Sequence, residues 1–417
     1  MAPEKIPRDL QFYKFSAYGF LKNIRLFEPF FILFFLEMKL NYVQIGTLIA
    51  VMEIATNLLE IPTGMIADDF GRRRSMIFSF LSYIASFTIF SFFSGFYNYI
   101  VAMLLFACGE AFRTGTHKAM ILTYLEIKEI THLKVSYYGH TRGASQLGSA
   151  LSSLLAAVVV LYLGSFRWVF LFSIGPYIME LFLMMSYPKE LDGDIRSVSG
   201  GIFKEAGARF AVTTKDFLRL FKDRNTLTAL LSSAVFSGLF KGIKDYLQPL
   251  IQAYVLILPF FLALTENRRS AVFIGGIYFI LFLCTAFASR RAGLITDGFR
   301  NLSGAVNGTY LLGAGFIVLS GSVLQLKWNA ISIIFFSLLF VLQGVRKPMS
   351  VAYISDKISS RIMATGLSGE SQLRSLFSAL FSFSMGVLVQ YAGLSSAIII
   401  IGLSALVFYP LVRVRES

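Results

Sequence analysis

Ten ionisable side chains stand inside apolar runs of the sequence, where a charge must have a partner or water to persist. Lys22, Arg25, Arg113, Lys241, Lys244 and Arg346 are basic; Glu28, Glu53, Glu110 and Asp245 are acidic. A charge at the centre of hydrocarbon costs at least about 2.5 kcal/mol, so such groups face partners or water. Two chemistries suit the set. Guanidinium forks and ammonium groups take carboxylate or phosphate oxygens, and an excess of cations predicts an anionic solute. Burial makes a carboxyl a better proton carrier near neutral pH, and Glu28, Glu53, Glu110 and Asp245 are the candidates. The competing reading is structural. Lys22, Arg25 and Glu28 are spaced three apart, as are Glu110 and Arg113, and such neighbours on a helix can neutralise one another.

Other chemistry finds little to build on. His117, His132 and His140 are scattered, and Cys108 and Cys284 have no CxxC spacing, so no metal site is expected. His117 reads as a hydrogen-bonded packing residue. No GxxxxGK[ST] run appears, which argues against direct use of ATP. No cofactor and no catalytic residue is expected. Glu53, Asn57 and Glu60 share one helical face, a polar path rather than a stripe facing lipid; Glu60, just before Pro62, reads as structural near a helix end.

The elements that must hold these charges are membrane helices. Apolar residues make up 56% of the 417, charged residues only 15%, and mean hydropathy is +0.67. Soluble domains carry roughly a quarter charged residues. Twelve apolar windows recur near 13–36, 44–66, 75–94, 97–122, 139–163, 167–187, 227–258, 271–289, 303–324, 329–351, 363–391 and 394–412. Each can cross about 30 Å of hydrocarbon as a helix. Pro249 and Pro259 predict a kink in the seventh. The start, MAPEKIPRDLQ, is polar, so no cleavable signal is expected.

The net charge of +14 follows topology. With a cytoplasmic N-terminus, the presumed inner segments hold 22 Lys and Arg, among them Lys5, Arg72, Arg73, Arg74, Arg361 and eight in 188–226. The presumed outer turns hold 5: Lys39, Arg167, Arg268, Arg269 and Lys327. That asymmetry satisfies the positive-inside rule, makes anionic lipid the partner of the basic loops, and leaves no role for nucleic acid. The 188–226 stretch reads as a cytoplasmic linker with an amphipathic surface helix around Phe210–Phe221.

The two sides of that linker repeat one another. Lys22 and Arg25 precede Pro29 in the first window as Lys241 and Lys244, with Asp245 and Gln248, precede Pro249 in the seventh. Glu110 and Arg113 in the fourth match Gln343 and Arg346 in the tenth. Ser145-Gln146-Leu147 matches Ser371-Gln372-Leu373, and Gly64 with Asp68 matches Gly293 with Asp297.

Gly64-Met-Ile-Ala-Asp68-Asp-Phe-Gly71-Arg72-Arg73-Arg74 resembles the loop signature between the second and third spans of the major facilitator superfamily; Gly293-Leu-Ile-Thr-Asp297-Gly-Phe-Arg300 resembles its degraded second copy. The resemblance covers the whole chain. It implies an all-α polytopic membrane protein of 12 transmembrane helices in two pseudo-symmetric six-helix bundles: residues 1–187, the cytoplasmic linker 188–226, and residues 227–417. It also implies that spans one, four, seven and ten line a central cavity. The expected cavity set is then Lys22, Arg25, Glu28, Glu110, Arg113, Lys241, Lys244, Asp245, Gln248 and Arg346. Gly64, Asp68, Gly71, Arg72 and Arg73, with Gly293, Asp297 and Arg300, would form a cytoplasmic gate that latches the halves in the outward-open state. The fifth span, GASQLGSALSSLLAAV, lacks the Gly-Pro pattern of the family's drug/proton antiporters.

The sequence thus predicts a secondary transporter that moves a small solute by alternating access. The favoured solute is an organic anion, coupled to a proton or to a counter-solute. Drug or metabolite efflux by proton antiport is the alternative within the class, and a non-transporting receptor or scaffold the alternative outside it. The chain is expected to act as a monomer in the cell membrane with both termini cytoplasmic.

Overall fold

A computed structural model of the chain describes residues 7–193, 223–358 and 363–415. The surface helix expected around Phe210–Phe221, most of the linker charges, Lys5 and Arg361 lie outside the described residues. Every regular element among the described residues is a helix. Among the described residues, nine helices are long and apolar enough to cross a membrane. One of them, Met363–Val412, turns at Gly393 (φ 81°, ψ 164°) and supplies the eleventh and twelfth spans. Glycine alone adopts that backbone without strain. The first and fourth spans complete the twelve, each broken into pieces: Leu10–Leu21 with Glu28–Phe30 and Phe31–Glu37, and Phe96–Arg113 with Thr116–Ile127.

The remaining spans are Tyr42–Phe70, Arg72–Phe92, Lys134–Leu163, Trp168–Met185, Arg224–Val255, Glu266–Arg290, Leu302–Gln325 and Asn329–Lys357. Polar caps mark several starts: Asn41 and Gln44 form a capping box, Asp223 accepts from Thr226 N at 2.9 Å, and Asn301 accepts from Gly304 N at 2.7 Å. Large apolar side chains such as Phe182, Ile280 and Val407 point outward. Lipid tolerates that surface where water would not.

The first span departs from the continuous helix expected over 13–36. Its backbone leaves the helix at Lys22 and resumes in a turn at Glu28–Phe30, while the seventh span breaks at Lys244–Tyr246. Proline explains both. Pro29 has no N–H to close a turn onto Arg25, and Pro249 none to close one onto Asp245. Two backbone groups beside the break in the first span are taken up by Gln248 of the seventh. Its side-chain nitrogen donates to Glu28 O at 2.8 Å, and its side-chain oxygen accepts from Ile32 N at 2.8 Å. One amide therefore stands where the helix's own bond from residue 32 to residue 28 would run. Irregular backbone at this depth persists because the protein itself satisfies it.

Helix pairings repeat across the chain. The first span packs on the fifth as the seventh packs on the eleventh; the second and third pack on the fourth as the eighth and ninth pack on the tenth; the third packs on the sixth as the ninth packs on the twelfth. Two large contacts join the halves, the second span with the eleventh and the fifth with the eighth. Both depend on small residues that let backbones approach. At Gly46, a β-carbon would sit 2.6 Å from Ser382 O and against Gly386; at Gly275, one would sit 3.0 Å from Ser153 O and press on Ala157. These contacts lie toward the face remote from the termini. That face is also closed by Tyr42 N donating to Gln390 Oε1 at 3.1 Å, by Asn267 donating to Glu37 Oε1 at 2.9 Å, and by Tyr42 stacked with Tyr246 at 6.1 Å.

Gly46→Leu is therefore expected to prise the remote face apart. Spin labels placed at the exposed Lys39 and Lys327 positions, in a background without Cys108 and Cys284, should report a longer distance in this variant. An unchanged distance distribution would contradict the packing described.

Candidate functional site

The breaks in the first and seventh spans open onto a cavity of about 330 Å³ between the halves. Its wall comes from the first, second, fourth, seventh and eleventh spans. Phe27, Phe31, Ile49, Met52 and Phe106 supply the apolar part. Thr114, Glu60 and Arg374 extend it toward the face that carries the termini.

Two charge clusters dominate the polar part. In the first, Glu110 bridges two arginines: Arg25 Nη2 lies 2.6 Å from Oε1 and Arg113 Nη2 lies 2.5 Å from Oε2. Arg113 Nε also donates to Tyr83 Oη at 3.1 Å. In the second, Lys244 Nζ stands 2.7 Å from Asp245 Oδ1 and 3.2 Å from Glu28 Oε1, and Lys241 Nζ stands 2.6 Å from Glu53 Oε1. The first cluster stays within spans one to six. The second joins the seventh span to the first and the second, so its ion pairs cross between the halves. Asn57 adds a neutral crossing by donating to Gln372 O at 2.9 Å. On the eleventh span Arg374 pairs with Glu370 at 3.0 Å.

Seven of the ten cavity residues expected from sequence line it: Arg25, Glu28, Glu110, Arg113, Lys241, Lys244 and Asp245. Glu53, expected as a proton carrier, lines it as well, and is only 1% exposed. Three do not line it. Gln248 is fully buried and serves as the clasp between the broken helices. The Lys22 ammonium lies over the Tyr18 ring at 5.7 Å. Arg346 turns into the second half. It donates to Val306 O, to Thr309 Oγ1 at 2.9 Å and to Ser232 O and Oγ at 3.1 and 3.0 Å, and it lies 4.7 Å from the Phe236 ring. The reason is its repeat partner. Where Arg113 has Glu110, Arg346 has Gln343, so no carboxylate holds the guanidinium at the cavity wall.

These displacements change the charge balance. Sequence predicts an excess of cations, yet the wall carries Arg25, Arg113, Lys241, Lys244 and Arg374 against Glu28, Glu53, Glu60, Glu110 and Asp245. Five face five. Glu60, expected as a structural residue near a helix end, and Arg374, which sequence reasoning passed over, both belong to the wall. Arg374 stands in the part of its window nearest the termini, where a charge reads as a topology signal. His117 is a packing residue, stacked on Tyr18 at 3.6 Å with Nε2 3.2 Å from Tyr187 Oη.

Among the described residues, the bonds of the basic loop after the second span stay within its own half. Arg72 Nη1 donates to Thr123 Oγ1 at 2.7 Å, Arg73 N to Asp192 Oδ1 at 2.7 Å, and Arg73 Nη1 to Tyr187 O at 2.7 Å. Asp68 is exposed, and nothing stands within 4 Å of a β-carbon at Gly64. Gly71 has φ 96°, open only to glycine without strain. Gly293, Asp297 and Arg300 are exposed.

Twelve spans in a repeated six-span pattern, with a polar cavity at broken helices midway through them, define a multi-pass membrane protein built of two like bundles around a central chamber. The family model of the Major Facilitator Superfamily matches residues 23–369, and the chain belongs to that superfamily. Among curated proteins it is similar to an uncharacterised MFS-type transporter, YxaM, of Bacillus subtilis (strain 168), at 26% identity over 177 residues. That match spans 42% of this chain and 40% of the relative's length. Among solved structures it is similar to a mutant of the nucleoside transporter NupG (TM-score 0.74, 12% identity, 98% of this chain and 99% of that one). A POT family transporter in complex with 5-aminolevulinic acid (TM-score 0.71, 13% identity, 96% and 95%) and a D-xylose-proton symporter (0.69, 13%, 96% of each) share the fold. The chain is thus an integral multi-pass membrane protein of that superfamily.

Arg346→Ala removes several bonds in the interior of the second half and leaves Ser232 and Thr309 without their donor. It should lower the melting temperature of the purified protein by an amount equivalent to about 3 kcal/mol. A melting temperature equal to the wild type would contradict the buried role.

Proposed function

We propose that the chain is a proton-coupled carrier of a small organic anion, working by alternating access between residues 1–187 and 227–417. In this reading it sits in the cell membrane as a monomer with both termini cytoplasmic, and the structure corresponds to the inward-facing state. The observation that carries the reading is the balance of five basic and five acidic side chains around one small cavity. An anion entering a chamber whose wall charges balance adds a net negative charge there unless a carboxylate is protonated at the same time. A proton on Glu53 frees Lys241 to offer the anion its ammonium, and one on Glu28 leaves Lys244 held by Asp245 alone. The same event undoes an ion pair that crosses between the halves, so loading and rocking are linked. Proton coupling has a precedent of fold in the D-xylose-proton symporter. When the remote face opens, the proposed latch at Asp68, Arg72 and Arg73 would close the inner one. A second reading, export of an amphipathic compound by proton antiport, draws on Phe27, Phe31 and Phe106 in the wall.

Uptake into proteoliposomes distinguishes these. An inward proton gradient should drive accumulation of small carboxylates without net charge movement. Lys244→Ala should cut that uptake roughly 30-fold or more, from about 2 kcal/mol of lost pairing. Accumulation of lipophilic cations alone, or carboxylate uptake indifferent to the pH gradient, would overturn the proposal.

A further inference from the structure

Glu180 of the sixth span has no part in the site described so far. It is fully buried and outside the cavity wall. Neither carboxyl oxygen has a hydrogen-bond partner among the described residues. An ionised carboxylate held without water or partner costs several kcal/mol, whereas the neutral acid is tolerated.

Its surroundings are the back of the arginine cluster. The charged groups that act on it are Arg113 first, then Lys22, Arg25 and Glu110. The first span brings Tyr18, Lys22 and Arg25 toward it; the fourth brings Glu110 and Arg113; its own span adds Tyr177, and Tyr187 follows just past that span's end. The third span contributes Tyr83, already engaged with Arg113, and the described side chains of the fifth add no charge. Arg113 is thus the cation that acts most strongly on Glu180, while its own ion pair, at 2.5 Å, is with Glu110 on the cavity wall. Glu180 is interior and holds nothing among the described residues. Beyond, His117 and Tyr187 continue the polar row to Lys14 O near the termini, 3.3 Å from Tyr187 Oη.

We propose that Glu180 is a proton-binding site of the first half, occupied as the neutral acid in this conformation. When its proton passes to water, the carboxylate competes with Glu110 for Arg113. Glu110 and Arg25 are then left to rearrange at the cavity wall, so a proton bound behind the wall sets the charge that the solute meets. The link to transport rests on the proton-coupled reading above; the occupancy of Glu180 does not.

The test is an infrared titration of the purified full-length protein, with the proton as the probe. The wild type should show a protonated-carboxyl band at neutral pH that disappears on alkalinisation, and Glu180→Gln should lack it. Because glutamine is the neutral isostere, that variant should melt at or above the wild-type temperature. Glu110→Gln releases Arg113, which then favours the Glu180 carboxylate, so the band should disappear roughly one pH unit lower, a tenfold change in proton affinity. Persistence of the band in Glu180→Gln overturns the inference, as does a Gln variant that melts lower or fails to fold. An unshifted titration in Glu110→Gln overturns the competition for Arg113. If the band behaves as described while no pH gradient drives uptake, the proton site stands and the proposed coupling falls.

Discussion

Lys241 and Lys244 of the seventh span reach across the molecule to Glu53 and Glu28 of the first two, at 2.6 and 3.2 Å, and the architecture is arranged around that crossing. Ion pairs at this depth are strong only because water is scarce, and for the same reason each charge is costly once its partner leaves. Glu53 is 1% exposed while its lysine is nearly half exposed. The carboxylate is thus the member that cannot stand alone. The cavity exists because Pro29 and Pro249 interrupt the two helices that carry these charges, and it stays ordered because Gln248 replaces the lost turn.

Much of this was legible in the sequence. The twelve windows, the kink in the seventh, the turn between the last two and the internal repeat all appear as helices and pairings, since hydrocarbon imposes length and apolarity residue by residue. The cavity charges on the first, fourth and seventh spans were legible too, because a charge inside an apolar run has few places to go. What sequence could not tell was which way each long side chain turns. Arg113 and Arg346 occupy equivalent positions, yet one reaches the cavity and the other packs against Phe236. The substitution of Gln343 for the acid was visible, but its consequence depends on carbonyls of the ninth and seventh spans brought close only by folding. Glu180 gave a fair signal, a lone acid in WVFLFSIGPYIMELFLMM, and was passed over because no basic neighbour stands near it in sequence.

The two halves are alike in helix packing and unlike in charge. The first holds its arginines to itself through Glu110; the second lends its lysines to the first. In the structure, contact between the halves concentrates at the remote face, through Gly46, Gly386 and Gly275, while among the described residues the basic loop at the other face holds Thr123, Tyr187 and Asp192. Close backbone packing at one face leaves the charged pairs between the halves in the middle, at the cavity.

A double-mutant cycle on Lys241 and Glu53 examines the crossing itself. Lys241→Met should lower the melting temperature sharply, Glu53→Gln only slightly, and the double variant should return close to Glu53→Gln, with a coupling of about 1–3 kcal/mol. Strictly additive losses would mean that the two side chains do not depend on one another, and the account of a cavity held neutral by pairs between the halves would be wrong.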